Sequence, residues 1–116
     1  MLLAHGATVV LACRTQPTID GIVQEVSPAD ADELRSRIHL LPLDLGSFAS
    51  VREFVRAFEA LEIPLHCLIN NAGVMMIPTF ETTADGIERQ WGTNHMGHFL
   101  LTVLLLPHLI RSATGA

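Results

Sequence analysis

"LINNAGVM", residues 68–75, places two amides, an alanine and a glycine directly after an apolar run. Asn70 and Asn71 are poor at continuing a strand and costly to bury without hydrogen-bond partners. Short amides can instead bond neighbouring backbone groups, while Ala72 and Gly73 let that backbone approach a bulky ligand closely. The stretch therefore predicts a strand over residues 65–70 that ends at a nucleotide-sized ligand, with an ordinary Asn-rich turn as the alternative.

Two further apolar runs resemble the one before the amides. "ATVVLAC" (residues 7–13) and "IHLLPLDL" (residues 38–45) are short and apolar, as expected for strands buried on both faces of a parallel sheet. Helical patterns separate the three runs, and an alternation of strands and helices is typical of right-handed βαβ units. The sequence therefore predicts an α/β fold with a parallel sheet, in one domain over residues 1–116.

The helical patterns differ in strength. The clearest lies within residues 47–61, where Ser50 and Glu53 suggest a capping box. A weaker helix is expected over residues 19–26, with a break at Ser27-Pro28. A long helix is expected from near Asp85, bent or frayed at Pro107. One side of that long helix would carry Ile87, Trp91, His98, Leu101, Leu105 and Leu109.

Composition excludes several classes of protein. The net charge is -5 and the arginines are scattered, which argues against a nucleic-acid partner. Cys13 and Cys67 lie in apolar runs without metal-ligand spacing, so we expect two core thiols in a reducing, cytoplasmic setting. The most apolar run, residues 99–110, is well short of the roughly 20 residues of a membrane-spanning helix, which predicts a buried helix end.

Ligands of open parallel sheets bind beyond the carboxyl ends of the strands, so the residues there are the candidate site. Arg14 follows the first run. A guanidinium pairs with the 2'-phosphate of NADP, whereas NAD calls for a carboxylate, so Arg14 favours NADP over NAD, with a solvated arginine at a strand end as the alternative. Asp44 and Leu45 end the second run and could contact an adenine, or form a turn into the next helix. Asn71, Ala72 and Gly73 follow the third.

The long helix holds three polar residues of interest. Asn94 is disfavoured within a helix and needs partners if buried, so it either bonds backbone or supports a site. His95 and His98 are three residues apart, but no third ligand has matching spacing, so we expect packing histidines and no metal.

Taken together, "HGATVVLACR", "LDL", "INNAGVM" and "TNHMGHFLLTVLLLP" closely resemble the short-chain dehydrogenase/reductase family. The nearest branch looks like the retinol dehydrogenase-like and WW-domain oxidoreductase-like one. The resemblance implies a Rossmann-type doubly wound sheet that is incomplete, lacking the first strand with its Gly-rich loop and the C-terminal half. It also implies hydride transfer between NADP and a lipophilic alcohol or carbonyl.

The resemblance assigns roles to individual residues. It places Arg14 at the 2'-phosphate, Asp44 and Leu45 at adenine, and Asn71, Ala72 and Gly73 beside the ribose. Asn94 matches the family's catalytic asparagine, which helps to hold a water in a proton relay. The long helix corresponds to one that forms dimer interfaces, which implies a homo-oligomer.

The chain contains no tyrosine, and all seven basic residues are arginine, so the family's Tyr-x-x-x-Lys pair is not in it. We therefore expect these 116 residues alone to show no turnover, weak or no cofactor binding, and low stability. The leading hypothesis is a fragment of an NADP-dependent oxidoreductase, with membrane anchoring through a missing N-terminus left open. The alternatives are a non-catalytic interaction module or product of a decayed gene and, more weakly, a flavodoxin-like domain.

Overall fold

The computed structural model describes residues 2–15 and 17–115, so the two ends of the expected 1–116 domain, Met1 and Ala116, lie outside the described residues. The described residues form two compact units that divide between Leu43 and Asp44. The first unit holds β1 (Val9–Cys13), α1 (Ile19–Val26), α2 (Ala31–Arg35) and β2 (Ile38–Pro42). The second holds α3 (Phe48–Ala60), α4 (Arg89–Trp91), a π-helical turn (Gly92–Met96) and α5 (Gly97–Thr114). The last three form one rod of 26 residues, Arg89–Thr114, called the long helix below.

The first unit is a parallel strand pair with a helical crossover. β1 and β2 pair in parallel, with Val9 opposite Ile38 and Cys13 opposite Pro42. The hydroxyl of Thr18 accepts a hydrogen bond from the Gly21 N–H and starts α1. Its core is apolar: Leu3, Val23, Leu34 and Ile38 are buried together. This arrangement confirms the α/β fold and the parallel sheet expected for an incomplete Rossmann fold.

Arg37 fixes the entry into β1. Its guanidinium binds the Glu33 carboxylate with two N–H groups and donates to the carbonyls of Leu3 and Ala7. These bonds raise the pKa of Arg37 and lower that of Glu33, because each partner stabilises the charged form of the other.

The third predicted strand is wrong. In the described part of the chain only β1 and β2 form a ladder, and residues 65–70 belong to no helix or strand. A strand requires hydrogen bonds to a neighbouring strand, and apolar composition supplies none of them. The segment is instead attached to α5, where the Leu65 N–H donates to the Ser112 hydroxyl.

The apolar pattern of α3 predicted its buried face. Val51, Phe54, Val55 and Phe58 are buried, and α3 packs against α5. The predicted capping box at Ser50 is wrong, because Ser47 caps the helix and accepts from the Ser50 N–H. The Ser50 hydroxyl accepts instead from the Asp44 N–H, at 2.8 Å.

A tight hairpin leads into the long helix and delays its start. Thr82 and Glu88 form an antiparallel bridge, and Gly86 makes the turn with a φ of 78°. The helix therefore begins at Arg89 and not near Asp85. The Asp85 carboxylate accepts from the Phe48 N–H and so satisfies a donor at the start of α3.

The long helix continues through Pro107 to Thr114, so the proline does not end it. Leu101 and Leu105 are buried as expected, whereas Trp91, from the same predicted face, is exposed. By length and composition the long helix could cross a membrane; its most apolar stretch has a mean hydropathy of 1.3 and is 17% buried. The expectation of a buried helix end is therefore wrong for most of its surface, although these properties are weak evidence for a span.

Candidate functional site

The site is built around the π-helical turn of the long helix. A π-turn adds one residue to a helical turn and is frequent at functional positions. Here it contains Thr93 and Asn94 and is followed by Gly97. Two segments that sequence reasoning selected, the turn at Asp44–Gly46 and the amide segment Asn70–Val74, both contact this region.

Asn94 clasps the amide segment with both ends of its side chain. Its Oδ1 accepts from the Val74 N–H at 2.7 Å, and its Nδ2 donates to the Val74 carbonyl at 2.6 Å. Gly73 lies against the same amide, since a Cβ there would be 3.2 Å from Asn94 Oδ1. Of the two alternatives for Asn94, bonds to backbone or support of a site, the structure shows the first, and the close approach at Gly73 explains why a small residue is required.

His98 holds the same segment one turn further along. Its Nε2 lies 2.7 Å from the Ala72 carbonyl oxygen, and its Nδ1 lies 3.2 Å from Asn70 Oδ1. Asn70 also donates to the Thr102 hydroxyl at 3.1 Å. Sequence reasoning missed this role and treated His98 as a packing residue. The spacing of four between Asn94, His98 and Thr102 on an apolar helix could have indicated it.

His95 points elsewhere. Its ring stacks on Trp91 at 4.5 Å and lies 6.3 Å from the Phe99 ring. Over residues 2–15 and 17–115, no group of three His, Cys, Asp or Glu side chains could hold a metal ion. His95 and His98 therefore contact different groups. Of the two, His95 alone packs against other side chains as expected.

Asp44 forms a turn into the next helix, which was the alternative prediction for this residue. Its Oδ1 accepts from the Gly46 N–H at 2.8 Å, and its carbonyl accepts from the Ser47 N–H at 3.1 Å. A carboxylate has a second oxygen and several acceptor positions, so this turn leaves Asp44 able to accept another hydrogen bond. Leu45 is buried, and its backbone carbonyl lies directly against Gly97.

Arg14 lies in the first unit, where it is exposed in the bend after β1. The other predicted residues all belong to the second unit. Leu45, Ala72, Gly73 and Asn94 are brought to the π-turn and the start of α5, while Asn71 lies exposed within the amide segment.

Comparison with known proteins decides the family. The family model described as short chain dehydrogenase matches residues 1–116. The chain belongs to the short-chain dehydrogenase family. This confirms the sequence resemblance, and the family is one of oxidoreductases.

Individual relatives and structures are similar over a limited part of their length. Mouse polyprenol dehydrogenase is 58% identical over 94 residues, covering 80% of this chain and 27% of the relative. Mouse retinol dehydrogenase 12 is 46% identical over 112 residues, covering 97% of the chain and 34% of the relative. The chain thus spans about a third of these curated relatives or less. The Pseudomonas aeruginosa RhlG/NADP active-site complex is 28% identical with a TM-score of 0.64, covering 96% of the chain and 41% of that structure.

Proposed function

We propose that this chain contributes the nucleotide-binding part of an oxidoreductase that interconverts an alcohol and a carbonyl by hydride transfer with NADP. The observation that carries the proposal is the double clasp of Asn94 and His98 on the amide segment. The clasp fixes the backbone from the helix side and leaves Asn71, Ala72 and Gly73 exposed. A backbone held in this way is a suitable wall for a ribose.

The residues present fit a dinucleotide. Gly73 has no side chain that would keep a ligand away from the backbone. Asp44 retains an oxygen that can accept from an adenine amino group, and Leu45 offers an apolar side chain to the ring. Arg14 carries an exposed guanidinium that would pair with a 2'-phosphate. When bound, NADP would supply the hydride donor or acceptor. The residues of this chain would bind and orient it.

Asn94 corresponds by resemblance to the catalytic asparagine of the family. Both polar atoms of its side chain are engaged by Val74, so the amide shapes the cofactor wall directly. In the whole protein, Asn94 is proposed to help hold a water in a proton relay.

NADP is preferred over NAD in this proposal because of Arg14 and because the RhlG complex contains NADP. A lipophilic alcohol or carbonyl is the proposed substrate class, since similar proteins are named as polyprenol and retinol dehydrogenases. A cytoplasmic location remains part of the proposal.

The cofactor is tested by titrating the ¹⁵N-labelled chain with NADP⁺ and NAD⁺, because NMR detects even weak binding. We expect NADP⁺ to shift the amide signals of Asn71, Ala72 and Gly73 more strongly than NAD⁺ does. Arg14→Gln should reduce the NADP⁺ response to that of NAD⁺, whereas Arg111→Gln, at another exposed arginine, should not. Unchanged signals at Asn71–Gly73 with either dinucleotide would overturn the cofactor site, and equal responses to both would overturn the NADP preference.

The second candidate function is an interaction module that self-associates through the long helix. One stripe of α5 is apolar and exposed: Phe99, Val103, Leu106 and Ile110 are 46–59% accessible. Apolar patches of this kind commonly mark protein interfaces. In a homo-oligomer, a second copy of the chain would cover this stripe, and sedimentation would detect the association.

A further inference from the structure

A polar stripe runs along the side of the long helix that faces the amide segment. Asn94, His98 and Thr102 are four residues apart, which places them one above the other on a helix. Each makes a hydrogen bond to Asn70 or to the backbone of residues 72–74. The three therefore act on one short segment.

The amide segment has little other support. In the described part of the chain, no backbone-to-backbone hydrogen bond involves Asn70–Val74. Its conformation depends on side chains of the long helix, in contrast to a strand, whose conformation is set by its ladder.

His98 has the bonding pattern that a positioning role requires. A carbonyl oxygen only accepts, so the contact of 2.7 Å to the Ala72 carbonyl requires that His98 Nε2 carries a proton. The other nitrogen contacts the Asn70 side chain, which is itself held by Thr102. Asn70 Oδ1 is an acceptor, so with the proton on Nε2 the Nδ1 contact is not a hydrogen bond, and the ring holds the segment through the Ala72 carbonyl, the residue just before Gly73.

We propose that His98 is a positioning residue that sets the Ala72–Gly73 backbone against which the cofactor binds. The inference rests on the proposed function for the identity of that cofactor. Its structural part, the ordering of the segment by the Nε2–H donor, stands independently. Neither metal binding nor apolar packing is needed to explain the residue.

The experiment compares His98→Leu, which removes the donor, with His98→Gln, whose amide restores a donor near the position of Nε2. His95→Leu is the matched control, since it makes the same change on the same helix away from the segment. In each ¹⁵N-labelled chain we would measure hydrogen exchange at the Val74 amide, NADP⁺ affinity by NMR titration and the thermal unfolding midpoint. In the wild type, the imidazole ¹⁵N shifts of His98 report the tautomer.

We expect the imidazole of His98 to carry a proton on Nε2. His98→Leu should speed Val74 exchange and weaken NADP⁺ binding, each by roughly five- to tenfold, as expected for one lost hydrogen bond. His98→Gln should restore most of both, and His95→Leu should leave both unchanged.

The inference is overturned if His98→Leu leaves Val74 exchange at the wild-type rate, if His98→Gln behaves like His98→Leu, or if the imidazole carries its proton on Nδ1 alone. Faster exchange in His98→Leu combined with no NADP⁺ binding by the wild type would instead refute the cofactor while establishing that His98 orders the segment.

Discussion

At two positions in the second unit, the space left by a neighbouring group restricts the residue to glycine. Gly97 is the clearest case, because any Cβ there would collide with the Leu45 backbone carbonyl. Gly73 is a milder case, since a Cβ there would lie 3.2 Å from Asn94 Oδ1. In both places the neighbour is fixed by its own hydrogen bonds or helix, so it cannot move away cheaply.

Gly97→Ala tests this with opposing expectations for the sign of the effect. Helix propensity alone predicts that alanine stabilises a helix interior by about 1 kcal/mol over glycine. The contact with Leu45 predicts destabilisation of about 1–3 kcal/mol, as for overpacking in a core. We expect the second outcome in urea unfolding monitored by circular dichroism. A rise in the free energy of unfolding would show that the helix and the Leu45 turn are not in contact.

Among the helices, caps and turns determine where each helix begins, which the periodicity of apolar residues did not predict. The long helix begins where Glu88 accepts hydrogen bonds from the N–H groups of Gln90 and Trp91, at 3.0 and 2.8 Å. The side chain of Arg89 pairs with Glu81 across the hairpin. Residues 85–88, which were expected to be helical, form the hairpin turn instead, and the predicted start was therefore too early.

Glu88 gives this helix start a pH dependence. Hydrogen bonds from the backbone of Trp91 and then Gln90 lower the pKa of the Glu88 carboxyl below its ordinary value. Their stabilising contribution is therefore complete above the pKa of the unfolded chain and is lost as pH falls through the lower folded pKa. In thermal unfolding from about pH 7 to about pH 3, Glu88→Gln should flatten the acidic fall of the midpoint.

The control for Glu88 is Glu25→Gln, which removes a carboxylate at an exposed position of α1. It should leave the acidic fall as steep as in the wild type. If the unfolding midpoints of the two variants fall equally as the pH is lowered, the Glu88 carboxylate is not the source of the pH dependence.

At the scale of the whole molecule, exposed apolar surface is the feature with most consequence. Beyond the stripe on α5, the stretch before the hairpin exposes Ile69, Met75, Met76 and Phe80. Apolar area left in water favours association, since burying it contributes about 25 cal/mol per Å². The described residues thus combine a small apolar core with surfaces suited to a second copy of the chain.

We expect the chain to self-associate in a concentration-dependent way through α5. Phe99→Glu combined with Ile110→Glu should shift sedimentation towards the monomer, because two charges would be buried in the interface. Ala49→Glu and Arg52→Gln together place a similar change in charge on the exposed face of α3 and should not alter the distribution. A wild type that sediments as a monomer at every concentration would rule out the interface on α5.

Much of this molecule follows from local sequence patterns. Short apolar runs determined β1 and β2 within a few residues, helical spacing determined α3 and its buried face, and the motif from Leu68 to Met75 identified the segment at the centre of the candidate site. These features depend on residues near one another in the chain, where propensity and periodicity act directly.

Tertiary structure decided the rest, because hydrogen-bond partners distant in sequence are not encoded in a local pattern. Residues 65–70 have the composition of a strand but join no ladder, and side chains of the long helix, more than thirty residues later, hydrogen-bond to this segment. His98 has the spacing of a metal ligand or a packing residue, yet it holds a backbone carbonyl 26 residues earlier. An apolar run can favour a strand conformation, but only the folded structure supplies the groups that hydrogen-bond to its backbone.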